Sequence, residues 1–197
     1  MGTHIMPLSA IQIGRIAENE LAKLLLMGSD GRLAIFWPMT DEERRDAEVH
    51  VRGKFGVSLA LQVKSATHLQ RHQRSSLFQI SFTVPANRLI SDPWFWYYIP
   101  LLSVSNMGVV DPQYLVNSTK LHSHAAPTLR GGVCRFRFQA NMAENSHDMW
   151  VPDRVNALDV GRRVLQIIDD LENLPKAQRP AGAFHLPPGV AVVRRKS

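Results

Sequence analysis

The sequence is poor in the features that mark several large classes of protein. Its 197 residues contain a single cysteine, Cys134, which excludes an intramolecular disulfide and is typical of a reducing compartment. The longest apolar run, around residues 94–102, is too short to span a bilayer. No signal-peptide pattern follows Met1, so we expect a cytoplasmic protein with no membrane partner.

Several motifs of nucleotide-binding and hydrolytic enzymes are also missing. The chain has no P-loop, no dinucleotide-binding glycine fingerprint, no G-x-S-x-G nucleophile elbow and no internal repeat. Cys134 has no cluster of histidines or cysteines near it in the sequence, so a buried or inert thiol is favoured over a nucleophile. Candidate catalytic residues must therefore be sought among the other polar side chains.

Acidic residues are outnumbered by basic ones. There are 17 Asp and Glu against 23 Lys and Arg, which gives a formal net charge of +6 and a pI of about 9.9. Such a charge makes attraction to polyanions, nucleic acids among them, physically reasonable. The hydrophobic content of 45% and charged content of 20% are those of a globular protein, and the length suffices for one domain with a sizeable core.

Residues 57–64 carry the most informative pattern. Apolar side chains alternate there with small or polar ones, which is the two-residue period of a β-strand. Small Ser58 and Ala60 suggest that the second face is also covered, so we expect this strand to be central. Gln62 and Lys64 lie on that second face, at the end of the strand. A lysine that closes a buried strand is costly unless it meets an anion.

The preceding segment, residues 46–51, begins with two carboxylates on one face, Asp46 and Glu48. Two glycines between the segments fit a hairpin with a short loop, and pairing would bring the carboxylates near Gln62 and Lys64. This set suits metal-assisted phosphodiester hydrolysis, because carboxylates hold a hard divalent cation and an ammonium stabilises charge on phosphate. The alternative is an ordinary hairpin with solvated surface charges.

The order of these residues resembles a nuclease signature. Asp46 followed by Gln62-x-Lys64 looks like the motif of the PD-(D/E)XK nuclease superfamily, in the branch where glutamine replaces the second acid. Residues 14–21 are similar to the first helix of Holliday-junction resolvases, whose G-x-x-A-E-x-E-L pattern supplies a further site carboxylate, here Glu18. The likeness covers roughly residues 11–120. Two departures are the neutral Gln62 and Arg45, which stands where the family has proline.

The resemblance implies an α/β fold with a restriction-endonuclease-like core, a central mixed β-sheet flanked by helices. It implies an endonuclease that hydrolyses DNA with Mg²⁺ or Mn²⁺, in restriction, repair or defence, and that acts as a homodimer because two strands need two sites. The implied catalytic residues are Glu18, Asp46, Glu48, Gln62 and Lys64. The implied metal ligands are Asp46, Gln62 and the Val63 carbonyl, and either Asp46 or Glu48 is the main metal carboxylate.

Two other interpretations stay open. Gln62 and the missing proline are compatible with a catalytically inactive module of the same fold that binds nucleic acid or a protein partner. A dimeric structural subunit is the third interpretation, and it rests on the aromatic run at residues 94–98, which we interpret as core packing rather than base stacking. Arg71 and Arg74, in the loop after the lysine strand, are predicted to contact phosphates, with a solvated loop as the alternative.

The rest of the chain supports a single α/β domain. We predict a loose N-terminus at residues 1–10, the nuclease-like domain at 11–174 and an extended, proline-containing basic tail at 175–197. Apolar periodicity predicts helices at residues 11–27 and 154–174, and strands at 32–37, 78–84, 96–104, 112–116 and 133–140. Residues 121–132 are predicted to form an irregular connection.

Overall fold

The computed structural model describes residues 8–39, 44–54, 56–72, 75–103, 105–106, 108–125 and 128–174, with residues 71, 72, 75 and 76 described by their backbone alone. Most of the predicted loose N-terminus, Arg74 and the predicted tail lie outside the described residues. No helix in the described ranges is long and apolar enough to cross a membrane.

Three helices and ten strands make up the described fold. The helices are α1 (Ala10–Gly28), α2 (Ser118–His124) and α3 (Val160–Glu172). The strands are β1 (Leu33–Phe36), β2 (Ala47–Val51), β3 (Leu59–Val63), β4 (Gln70–His72), β5 (Ser75–Pro85), β6 (Phe95–Ser103), β7 (Gly108–Asn117), β8 (Thr128–Arg130), β9 (Val133–Asn141) and β10 (Arg154–Val155). Short 3-10 turns cover Ala86–Arg88, Val151–Asp153 and Ala157–Asp159.

The strands form two sheets. A central mixed sheet has the order β1-β2-β3-β6-β7-β10, in which only β3 and β6 run parallel. A second, antiparallel sheet has the order β4-β5-β9-β8. Helices α1 and α3 pack on one face of the central sheet, while α2 and the second sheet cover the other. The α/β class, the central mixed sheet and its flanking helices are confirmed.

Two reciprocal hydrogen bonds between Ser9 and Gln12 cap the start of α1. The Ser9 hydroxyl accepts from the Gln12 backbone N–H at 3.2 Å, and the Gln12 side chain accepts from the Ser9 N–H at 2.8 Å. This capping box satisfies two of the backbone donors that the first turn leaves open. The apolar side chains that follow at helical spacing, Ala17, Leu21, Leu24 and Leu25, are buried against the sheet and α3.

Two glycines let α1 and α3 approach closely. A Cβ placed on Gly161 of α3 would lie 2.5 Å from the carbonyl carbon of Gly28 and 2.6 Å from the nitrogen of Ser29. These are backbone atoms, which cannot move aside as a flexible side chain can. The end of α1 and the start of α3 are therefore in direct backbone contact, and no larger residue fits at position 161 without separating the helices.

Three local predictions were wrong. The second long helix begins at Val160 rather than at residue 154, because Arg154 pairs with Tyr114 of β7 as part of β10. The predicted irregular connection contains α2 and β8 instead. Helix α2 begins after Asn117, whose side chain accepts from the Thr119 N–H at 2.9 Å. The loop that carries Arg71 is replaced by a β4–β5 hairpin.

The aromatic run packs in the core as predicted. Phe95, Tyr97 and Tyr98 of β6 are at most 5% exposed. Tyr98 faces α1 and α3, whereas Phe95 and Tyr97 face the second sheet. The alternation of the run thus supplies both layers of the core from one strand.

Gly161→Ala should destabilise the protein, although alanine is the better helix former. We expect the free energy of unfolding to fall by about 1–3 kcal/mol, because the new methyl group meets the Gly28 backbone. Gly14→Ala in α1 is the matched control, since nothing lies within 4 Å of its added Cβ, and it should stabilise by up to about 1 kcal/mol. Urea unfolding measures both. Equal stability of Gly161→Ala and wild type would contradict the close approach.

Candidate active site

The β2–β3 hairpin places the predicted polar residues along one sheet face. Glu48 lies opposite Ala60 and Ala47 lies opposite Leu61, so Asp46 falls beside Gln62 at the start of β2. Ala47 and Leu61 point into the core under α1 and α3. Because strand side chains alternate, Glu48, Gln62 and Lys64 point to the other face, which the second sheet covers. Asp46 directly precedes β2, at the edge of the sheet near α1.

Asp46 is held tightly at the end of β3. Its backbone N–H donates to the Leu61 carbonyl at 2.9 Å, and its carboxylate Oδ2 accepts from the Val63 N–H at 2.6 Å. A hydrogen bond to a carboxylate is stronger than one between neutral groups. Asp46 therefore joins the start of β2 to the end of β3, directly before Lys64.

Gln62 and Lys64 lie under the second sheet. Gln62 is 3% exposed and is the register partner of Tyr97 on β6. The half-buried Lys64 places its ammonium 5.9 Å from the centroid of the Phe82 ring on β5, within the range of a cation–π contact. The carbon chain of Lys64 is thus shielded while its charge remains at the end of the strand.

Glu18 and Asp46 both line a cleft between α1 and the start of β2. The cleft has a volume of about 360 Å³, and Glu18, Asp46, Arg15, Arg45 and Trp37 contribute to its wall. Among the described residues, Glu48, Gln62 and Lys64 do not line this cleft. The structure therefore brings Glu18 and Asp46 to one cavity, and aligns Asp46 with Gln62 and Lys64 along the strands.

Two arginines that were not predicted as site residues neutralise the other carboxylates. Arg15 lies 2.6 Å from Glu18, and Arg45 lies 2.5 Å from Glu48. Both arginines line the cleft. The three-residue spacing of Arg15 and Glu18 on a helix is a signal that could have identified this pair, because such residues are neighbours on the helix surface.

The available ligands around Asp46 fit a hard cation better than a soft one. Within the described residues, no group of three or more His, Cys, Asp or Glu side chains is arranged to hold a metal ion. The nearby donors are instead carboxylate, amide and backbone oxygens. Mg²⁺ and Mn²⁺ prefer such oxygens, and Mg²⁺ is commonly bound through one or two carboxylates while it keeps several waters. The predicted ligands Asp46, Gln62 and Val63 are chemically suited to such an ion.

The comparisons with known proteins point to an architecture. The structure of a bacterial homing endonuclease, I-Ssp6803I, superposes with a TM-score of 0.52 over 83% of this chain and 96% of its own, at 14% sequence identity. The likeness is one of fold. No protein-family model and no curated protein matches the sequence.

The predicted phosphate contacts fall at the edge of the described structure. The Arg71 backbone belongs to β4, where it pairs with Ser76 of β5. The Arg71 side chain and the whole of Arg74 lie outside the described parts. Their contact with phosphate stays a prediction.

A partly buried group of hydrogen-bonded polar side chains lies on the same side of the central sheet as Gln62 and Lys64. The Tyr97 hydroxyl is 2.9 Å from Nε2 of His122 on α2, and the Ser91 hydroxyl is 2.5 Å from its Nδ1. Burial raises the pKa of Tyr97 above its ordinary value and lowers the pKa of His122 to about 4. His122 is therefore neutral at physiological pH, with one ring nitrogen donating and the other accepting. The sequence did not predict these hydrogen bonds, because α2 itself was not predicted.

His122 should make the fold sensitive to acid. The pKa of His122 is lower in the folded state than the ordinary 6.5. The contribution of its neutral imidazole to the free energy of unfolding is therefore complete above pH 6.5 and is lost as pH falls towards 4. In thermal melts the difference in wild-type stability between pH 7 and about pH 4.5 should include about 2 kcal/mol from this group. His122→Gln, which cannot titrate, should show a smaller fall.

His124→Gln is the matched control, because this histidine lies on the same helix but is exposed. It should retain the wild-type fall in stability. If the His122 variant loses as much stability between the two pH values as wild type does, the buried neutral imidazole is not the cause.

Proposed function

We propose that the protein is a metal-dependent endonuclease that hydrolyses DNA phosphodiester bonds beside the cleft between α1 and β2. The observation that carries the proposal is the placement of Asp46. Its carboxylate accepts from the Val63 amide, at the end of the strand that leads to Lys64, and the residue lines the same cleft as Glu18. The fold shared with a bacterial homing endonuclease supports a nuclease-type activity.

The residues divide the work of hydrolysis among them. Asp46, the Gln62 amide oxygen and the Val63 carbonyl would hold the cation, with either Glu48 or Glu18 adding charge. A bound Mg²⁺ or Mn²⁺ would supply an acidic water and positive charge at the phosphate. The Lys64 ammonium would orient water and offset the negative charge that grows on phosphate oxygens.

The charged side chains of the cleft balance one another. Asp46 and Glu18 repel phosphate, whereas Arg15 and Arg45, which also line the cleft, offset that repulsion. The neutral Gln62 carries one negative charge fewer than the acid usual in the superfamily it resembles. We infer that the site binds metal more weakly than a site with two carboxylates, and that the phosphate contributes to holding the ion.

The finer parts of the proposal follow the PD-(D/E)XK resemblance. They comprise phosphate contacts by Arg71 and Arg74, and action as a homodimer with one cleft for each strand. A role in restriction, repair or defence is consistent with such an enzyme. These points rest on the motif order of the sequence together with the shared fold.

A non-catalytic binding module is the second candidate. The observations that favour it are the ion pairs of Glu18 and Glu48, which occupy two carboxylates that a metal would need, and the neutral Gln62. Such a module would bind nucleic acid or a protein partner through the same face without cutting. Cleavage and metal-binding measurements separate the two candidates.

Lys64→Ala and Asp46→Asn should each reduce cleavage of plasmid DNA by about 10²-fold or more, measured with Mg²⁺ and with Mn²⁺. Asparagine keeps an oxygen that can accept from the Val63 N–H, so the hairpin should survive. Lys54→Ala is the matched control, because Lys54 lies at the opposite end of the hairpin, paired with Glu172 at 2.8 Å. Full activity in the Lys64 and Asp46 variants would refute the assigned site.

Gln62→Glu should tighten metal binding. A second carboxylate beside Asp46 attracts a hard dication more strongly, and Lys64 on the same face offsets the added charge. Isothermal titration with Mn²⁺ should give a smaller dissociation constant than wild type. If the wild-type protein cuts neither plasmid, junction nor single-stranded DNA, and Gln62→Glu binds metal no more tightly, the nuclease proposal is wrong and the binding module is favoured.

A further inference from the structure

The outer face of the second sheet is open and polar. In β5 and β9 the side chains that point inward, such as Phe78, Phe136 and Phe138, are buried against the central sheet. The alternate positions point away from the core. They carry Ser81 and Thr83 on β5 and Arg135 and Arg137 on β9, all of them exposed.

Three arginines dominate this face, which we call the arginine face: Arg130 of β8 with Arg135 and Arg137 of β9. The register places Thr83 and Thr128 on either side of Arg135, and Ser81 beside Arg137. The strand segments 70–72, 75–85, 128–130 and 133–141 contain no aspartate or glutamate. The sheet is therefore positive and has hydroxyl donors next to the guanidinium groups.

The three guanidinium groups make no ion pair or hydrogen bond with any residue in the described ranges. Some arginines elsewhere in the described structure do have partners: Arg15 pairs with Glu18, Arg45 with Glu48 and Arg162 with Asp159. Like charges at neighbouring sheet positions destabilise the free protein slightly. A face that gathers unpaired arginines without carboxylates is suited to an external anion.

The geometry matches a polyanion with regularly spaced charges. Arg135 and Arg137 are two residues apart on one strand, which is about 6.8 Å at the usual rise of an antiparallel strand. Each strand of duplex DNA carries one phosphate per about 3.4 Å of axis, so this step equals two phosphates. Arg130 adds a third charge diagonally across the neighbouring strand.

The arginine face is the back of the layer that covers the candidate site. Phe82 lies under the Lys64 ammonium and stacks on Phe136, with ring centroids 5.4 Å apart. Arg135 and Arg137 flank Phe136 on the same strand and point the other way. A nucleic acid bound to this face would therefore lie one sheet thickness from Lys64.

We propose that the arginine face is a second docking surface for duplex DNA, distinct from the cleft. This face binds the phosphate backbone without reading the base sequence. The inference rests on the proposed function in taking DNA as the partner. Guanidinium groups bind phosphate oxygens in two-pronged fashion, and the threonine and serine hydroxyls add neutral donors. The surface holds DNA to the enzyme while the cleft engages a phosphodiester bond.

The test compares Arg135→Gln/Arg137→Gln with wild type, full chain in both cases, in binding to a short mixed-sequence DNA duplex without divalent metal. Each lost phosphate contact should weaken binding about eightfold at about 0.1 M salt, so the double variant should bind roughly 60-fold more weakly. The slope of log affinity against log salt should become shallower by about 1.8. Arg135→Lys/Arg137→Lys should largely restore both, because charge rather than packing is at stake.

The matched control is Arg52→Gln/Arg162→Gln, which removes the same charge from exposed arginines outside this sheet. It should leave the affinity and the salt slope near the wild-type values. If both double variants weaken binding equally, only net charge matters and the proposed surface is wrong. Loss of wild-type self-association in the Arg135/Arg137 variant, with unchanged DNA binding, would reassign the face to contact between two copies.

Plasmid cleavage, run alongside, separates this inference from the proposed function. Wild type that binds and cuts DNA, with an Arg135/Arg137 variant that binds equally well, refutes the docking surface and leaves the nuclease intact. Wild type that binds through this face but cuts nothing supports the docking surface and refutes the nuclease. Wild type that neither binds nor cuts DNA refutes both.

Discussion

The burial of β3 on both faces is the constraint on which the rest of the structure depends. Its odd-numbered residues, Leu61 and Val63, must be covered by helices, while its even-numbered residues carry the polar Gln62 into the space under a second sheet. The first requirement brings α1 and α3 together across Gly28 and Gly161. The second requires β5 and β9, whose aromatic side chains cover the site face. A strand with both faces apolar would have needed the same covering layers but would have carried no polar side chain such as Gln62.

Features that depend on neighbours in sequence were predictable. The hairpin that carries Asp46 and Lys64 follows from two-residue alternation on either side of a glycine-containing turn. The start of the second long helix was mispredicted because its partner lies far along the chain. Arg154 begins a stretch with helical apolar periodicity, yet it joins β10 because it pairs with the edge of β7 and its guanidinium donates to the carbonyls of Asn141 and Ala143. Periodicity contains no information about such an edge.

The candidate site shows the same division. That Asp46 and Gln62 lie side by side follows from the hairpin register, and that Glu18 lies on α1 follows from helical spacing. The hydrogen bond from the Val63 amide to Asp46 does not follow, because it needs the side chain to turn along the strand end. Nor does the position of Lys64 outside the cleft lined by Glu18. The position of its ammonium against the Phe82 ring depends on how the two sheets stack, and that packing is a property of the whole core.

The capping box at Ser9 has a mechanical consequence for the cleft. Asp46, on one wall, is anchored to the centre of the sheet, whereas the other wall, with Gly14, Arg15 and Glu18, belongs to the first three turns of α1. Helix ends open far more readily than central strands, since few contacts must break for a terminal turn to fray. The cavity thus has one stiff wall and one compliant wall. The two hydrogen bonds between Ser9 and Gln12 hold the first turn of that compliant wall.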